Sequence, residues 1–132
     1  MKFLISLIDD GGWAVEASPE EIESMVSDMN EYIDGLTEEG VYVGGEGLAP
    51  ASAAKTLRYG EDGKIVVTDG PFAETKEHTA GYMILECESI EDAIQRVEKM
   101  PNADPGRGAI EIRQIVDTAA ENVEMYKKAA EA

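Results

Sequence analysis

Hydrophobic and polar positions along the chain predict a regular succession of strands and helices. Residues 2 to 8, Lys-Phe-Leu-Ile-Ser-Leu-Ile, are nearly continuous in apolar character and of strand length, which predicts a strand buried on both faces. Asp9-Asp-Gly-Gly12 stops it with turn chemistry, and Trp13 follows in a predicted loop as either a lid over a pocket or a packing anchor. Ser18-Pro-Glu-Glu21 then opens a helix with a Ser N-cap, a proline in the first turn and a glutamate placed to close a capping box. Ile22, Met25, Val26, Met29, Ile33 and Leu36 fall three or four apart and form its predicted buried stripe, and Gly40 ends it. On that stripe Met25 and Met29 are ordinary core filler.

A second strand begins at Val41-Tyr-Val43 and runs into Gly44-Gly-Glu-Gly47, where glycines permit a bulge or a close approach of backbone to a ligand. Leu48 to Ala54 reads as a loop. Lys55-Thr-Leu-Arg-Tyr59, the turn Gly60-Glu-Asp-Gly63 and Lys64-Ile-Val-Val-Thr68 predict a β-hairpin. Thr79 to Cys87 is another strand, followed by a helix capped by Ser89, with Glu91 and Asp92 in its first turn and a stripe of Ile90, Ala93, Ile94, Val97 and Met100 closed by Pro101. Asn102 to Gly108 is a loop holding Asp104, Pro105 and Arg107, and Ala109 to Val116 is a last strand. Asp117 to Ala132 is rich in Ala and Glu, a short exposed helix or a frayed tail.

With the hairpin treated as an insertion, this order is α+β and matches the ferredoxin-like, split βαβ plan. Two helices cover one face of such a sheet. Because the first strand and the Tyr82 strand are apolar on both sides, the other face needs cover from outside the domain, which predicts a homodimer with sheet packed on sheet. At 132 residues the chain suits one domain, expected over 1–116, with 117–132 as an appended acidic helix or tail.

Composition narrows the partners. The 11 Lys and Arg against 28 Asp and Glu give a net charge of −17, spread over both halves, so nucleic acid and anionic lipid surfaces are disfavoured. The apolar runs are too short for a membrane span and no secretory leader pattern opens the chain, which predicts a cytoplasmic protein. The single cysteine, Cys87, sits in a strand-like run and reads as a small apolar filler.

Candidate chemistry concentrates in Asp69-Gly-Pro-Phe-Ala-Glu-Thr-Lys-Glu-His78. Gly70 reaches backbone angles closed to other residues and Pro71 fixes its own φ, so Asp69 is expected in one pose at a strand end. An imidazole beside a carboxylate is held in one tautomer and carries protons in the physiological range, which makes Asp69, Glu74 and His78 the candidates for proton transfer on a small metabolite. Gly45, Glu46, Pro71, Phe72 and Lys76 are the candidates for ligand contact, Lys76 toward an anionic substrate. The bland alternatives stand beside these: Asp69 in an ordinary turn, Phe72 as a core plug, His78 in packing, and Glu74, Lys76 and Glu77 as a solvated charged run. A metal site could be drawn from Glu46, Glu74 and His78, but no recognisable ligand spacing supports it, and no cofactor cradle is present.

Val67-Thr-Asp-Gly-Pro-Phe-Ala-Glu-Thr-Lys-Glu77, Ala80-Gly-Tyr82, Val43-Gly-Gly-Glu-Gly-Leu48 and Lys2-Phe-Leu-Ile-Ser-Leu7 together resemble the DGPF-type branch of the YCII-related family of small bacterial proteins. The resemblance implies a dimeric α+β barrel. In the wider family it implies a His-Asp pair with the histidine in the first half of the chain; here the only histidine is His78, so that pair does not carry over. Only Asp69, Gly70, Pro71, Phe72 and Glu74 match the branch position by position. The branch is also associated with alternative sigma factors, which implies a rival role as a regulatory or adaptor module with a sigma factor as partner.

Overall fold

A computed structural model of the chain describes residues 1–101 and 108–132. The expected loop holding Asp104, Pro105 and Arg107 therefore lies outside the described residues, apart from its last residue, Gly108. Strand β1 (Lys2–Asp9) is followed by helices α1 (Gly12–Glu16) and α2 (Pro19–Glu38), strand β2 (Tyr42–Gly47), strands β3 (Lys55–Tyr59) and β4 (Ile65–Asp69), strand β5 (His78–Glu86), helix α3 (Ile90–Val97), strand β6 (Ala109–Gln114) and helix α4 (Ala119–Glu131). Four strands form one antiparallel sheet in the order β2-β5-β1-β6, and among the described residues β3 and β4 pair only with each other. The chain is thus α+β, and the sheet order is consistent with a ferredoxin-like split βαβ arrangement carrying an inserted hairpin. None of the helices among the described residues is long and apolar enough to cross a membrane.

The local signals act as their chemistry requires. Ser18 accepts a hydrogen bond from Glu21 N (3.1 Å) and the Glu21 carboxylate accepts one from Ser18 N (3.2 Å), so both halves of the capping box form. At the other end of α2, Gly40 adopts φ +74°, and the amides of Gly40 and Val41 donate back to the carbonyls of Thr37 and Leu36. That is a Schellman closure, and it brings Val41 and Leu36, both buried, together.

The core lies between the helices and one sheet face, with Phe3, Ile5, Leu36, Val41, Met83, Leu85, Cys87, Ala93 and Val97 buried. Burial also holds the Cys87 thiol above its usual range, in keeping with a filler role. The stripe of α2 is rolled slightly from the one expected: Met25, Met29, Ile33 and Leu36 turn inward, whereas Ile22 and Val26 are 40% and 53% exposed. Tyr32 takes the inward place. Its hydroxyl donates to Arg96 O at 2.8 Å, a bond Val26 has no means of making, and this fixes the roll of α2 on α3. Arg96 in turn bonds the carboxylates of Asp92 (3.0 Å) and Glu39 (2.7 Å), tying the end of α2 to α3. The Asp92 carboxyl is held below the usual carboxylate range, first by the hydrogen bond from Glu88 N and then by Arg96.

Two expectations change. Trp13 is in the short helix α1 rather than a loop, because Gly11 takes φ +76° and turns the chain directly into a helical turn after the Asp9 and Asp10 bends. Within one chain the first strand is fully buried on one face only, and cover of the other face would have to come from outside it. Phe3 and Ile5 face the helices, while Leu4 and Ser6 lie opposite Ile84 and Tyr82 on the outer face, where all four are half-buried. The outer ends of those rows are polar or charged, with Glu46 opposite Tyr82 and Glu111 and Arg113 opposite Ser6 and Leu4. Helix α4 is capped by Thr118 and exposed along its whole length.

Candidate functional site

A cavity of about 910 Å³ opens at the end of the sheet where β1 finishes and β5 begins. Its wall is apolar: Trp13 from α1, Met25 and Met29 from α2, Leu7 and Ile110 from the sheet, and Leu48 from the segment after β2. Asp9, Asp10, His78 and Thr79 supply polar atoms at its rim. A volume of this size holds a small metabolite, and a mostly apolar wall with a few convergent polar groups is the usual makeup of such a site.

Strand pairing creates the polar end. His78, the first residue of β5 and half-buried, stands directly opposite Asp9, the last residue of β1. Side chains at such paired positions in an antiparallel ladder have Cβ atoms about 4.5–5.5 Å apart, close enough to act on one bound molecule. Asp9 is held in place because its Oδ1 accepts a hydrogen bond from Gly11 N at 2.9 Å, and Asp10 Oδ1 accepts one from Gly12 N at 2.9 Å. The Asp-Asp-Gly-Gly turn therefore both ends the strand and fixes two carboxylates beside the cavity mouth.

A smaller cavity of about 490 Å³ adjoins it and shares Ile8, Leu48 to Ala51, His78 and Thr79 with the larger one. Pro71, Phe72 and Ala73 form its far wall. Of the residues singled out from sequence, His78, Pro71 and Phe72 thus line one hollow, and His78 alone lines both.

The others sit elsewhere. Asp69 is at the end of β4 with its side chain 86% exposed, ion-paired to Lys55 across the hairpin, and it lines neither cavity. The rigid corner after it serves the hairpin: Gly70 uses φ +96°, its amide donates to Ala54 O (2.8 Å), and Thr56 Oγ1 donates to its carbonyl (2.8 Å). Glu74 and Lys76 are in the exposed link to β5. Glu46 points to the outer sheet face, opposite Tyr82. Gly45 is packed against its neighbour strand, where an added Cβ would fall 2.6 Å from Tyr82 O and 2.9 Å from Met83 Cβ. The close approach its glycine permits is therefore to β5. Among the described residues, no three His, Cys, Asp or Glu side chains are grouped to hold a metal ion.

Sequence reasoning missed Asp9, Asp10 and Thr79 as site residues and gave Met25 and Met29 to the core alone. Asp9-Asp-Gly-Gly-Trp13 carried the available signal, since it places two carboxylates and the only tryptophan within five residues.

An uncharacterised protein of Rhizobium meliloti (strain 1021) is 36% identical over 115 residues, which cover 87% of this chain and 92% of that one. Among solved structures, 5-chloro-2-hydroxyhydroquinone dehydrochlorinase from Burkholderia phenoliruptrix AC1100, in complex with 2,5-dihydroxybenzoquinone, aligns over 91% of this chain and 98% of its own at 18% identity and a TM-score of 0.46. The YCII-related domain matches residues 1–119, and on that match the chain belongs to the YCII-related family.

Proposed function

We propose that this protein is a homodimer of the DGPF-type branch that binds a small, largely apolar metabolite in the larger cavity and performs acid–base chemistry on it through His78. The observation that carries the reading is the 910 Å³ hollow whose apolar wall meets His78 and Asp9 at paired strand ends. Apolar lining supplies affinity through the removal of surface from water. Polar groups at one end alone orient the ligand, so one part of it is presented to the imidazole while the remainder is buried. An imidazole can accept and return a proton, and Asp9 across the ladder presents a second polar group to the same end of the bound molecule. Asp69 enters this reading only through the hairpin it clasps with Lys55.

Trp13 makes binding measurable, because it is the only tryptophan and lines the cavity. A screened metabolite that binds there should shift Trp13 emission in a saturable way. Trp13→Phe should remove that signal, and Trp13→Ala should weaken binding, followed by calorimetry, by about 10-fold or more, as expected for losing a large buried aromatic contact. If ligands found by calorimetry bind with Trp13 emission and affinity untouched by these changes, the cavity is not the site.

The pairing of subunits has its own support. Leu4, Ser6, Tyr82 and Ile84 form a half-buried patch at the centre of the outer sheet face, with no helix among the described residues over it. Covering it by a second copy about a two-fold axis gives a dimeric α+β barrel with sheet against sheet. Light scattering at micromolar concentration should return the mass of two chains; the mass of one would refute the dimer.

A further inference from the structure

The inserted hairpin has one apolar face that nothing among the described residues covers. Its ladder pairs Lys55 with Asp69, Leu57 with Val67 and Tyr59 with Ile65, so these six side chains share one face. Four of them are large and apolar and strongly exposed: Leu57 at 59%, Tyr59 at 84%, Ile65 at 53% and Val67 at 59%. The ion pair of Lys55 and Asp69 closes the end of the patch at the hairpin root. The opposite face has company of its own. There the Arg58 guanidinium lies 5.0 Å from the centre of the Phe72 ring, and Thr56 bonds the Gly70 carbonyl. An isolated two-stranded hairpin is at best marginally stable in water, and this one is joined to no other strand among the described residues.

We infer that the β3–β4 hairpin is a clasping arm whose Leu57, Tyr59, Ile65 and Val67 face packs on a second copy of this chain, a step that rests on the homodimer proposed above. Charge picks out a second copy of the chain. Two chains of net charge −17 repel, so they meet where each is locally neutral, and residues 55–69 carry three basic (Lys55, Arg58, Lys64) and three acidic (Glu61, Asp62, Asp69) side chains. A basic partner protein would seek the acidic surface elsewhere, not a neutral apolar strip. Area points the same way. Four strands about 4.8 Å apart and about 20 Å long offer roughly 400 Å² of flat sheet face, against about 800 Å² per partner in a standard stable interface. Sheet packing alone falls short, and two reciprocal arms make up the difference, as two-fold symmetry requires.

The arm also touches the site. Its root, Ala53 and Ala54 on one side and Pro71 and Phe72 on the other, forms the wall of the smaller cavity beside His78. Docking the arm on a second copy holds that wall of the smaller cavity in place.

Leu57→Asp and Val67→Asp each put a charge on the apolar strip without touching the four-stranded sheet. The expected result is a shift in light-scattering mass from two chains to one at micromolar concentration, with the far-ultraviolet dichroism kept and Val67→Ile remaining at two. A folded variant that stays at two chains overturns the arm while leaving the sheet-mediated dimer standing. A wild-type mass of one chain overturns both. Should the variants lose their fold, hydrogen exchange on the wild type decides: amides of β3 and β4 should lose protection by about 10-fold or more on dilution through dissociation, while Leu85 stays protected. Arm amides unprotected at high concentration would overturn the proposal.

Discussion

Replacing Leu85 by alanine is expected to lower stability by about 2–5 kcal/mol. Leu85 is 0% exposed and lies in β5 opposite both Phe3 of β1 and Tyr42 of β2, at the crossing of the three strands that carry the helix-side core. Removing its branched end deletes about three buried carbons, worth roughly 0.8 kcal/mol each in transfer from water, and the surrounding strands relax only partly into the gap. Against a total of about 5–15 kcal/mol for a domain of this kind, that is a large share. Urea titration followed by dichroism should show the midpoint falling with the slope unchanged. Val123→Ala on exposed α4 should stay within about 0.5 kcal/mol of the parent. Equal midpoints for Leu85→Ala and the parent would contradict a core centred on the helix side of the sheet.

His78→Ala should reduce turnover of any metabolite processed in the larger cavity by about 10²–10⁴-fold, the usual worth of a positioned proton carrier. Its effect on binding should stay within a few fold, because the apolar wall of Trp13, Met25, Met29 and Leu48 is left intact. The distinction matters, since a histidine that only packed would change affinity or stability and leave the chemical step alone. Asp69→Asn serves as the contrast. Its side chain points to water from the hairpin end, so it should leave the chemical step unchanged. A kcat preserved in His78→Ala, or one lost equally in Asp69→Asn, would move the chemistry away from the β1–β5 strand ends.

Much of the fold could be read before any coordinates, because its signals are local. Ser18 and Ser89 announce helix starts through hydroxyls that bond the amide three residues on, and both bonds form. The Lys55–Tyr59 and Ile65–Asp69 strands flank a glycine-bounded turn and pair as expected. Small errors arose where a long-range bond chose between near-equal faces, as when the Tyr32 hydroxyl reached Arg96 O and turned α2 away from Val26.

The candidate site was legible only in part, since its members are brought together by register. The Asp-Gly-Pro-Phe corner drew attention because it is compact in sequence, yet its carboxylate is neutralised by Lys55, a partner fixed by the hairpin ladder. Asp9 meets His78 only because β1 and β5 run antiparallel with an irregularity between Leu7 and Ile8 that shifts the last pairs of the ladder.

By itself the sequence determined the family, the α+β class, the helix starts and the hairpin, all through interactions spanning a few residues. Tertiary structure alone decided which acid stands beside the histidine, that Trp13 and two stripe methionines wall a cavity, and that the hairpin leaves an apolar face open. Those outcomes depend on how distant strands align, and no local rule of side-chain spacing encodes that alignment.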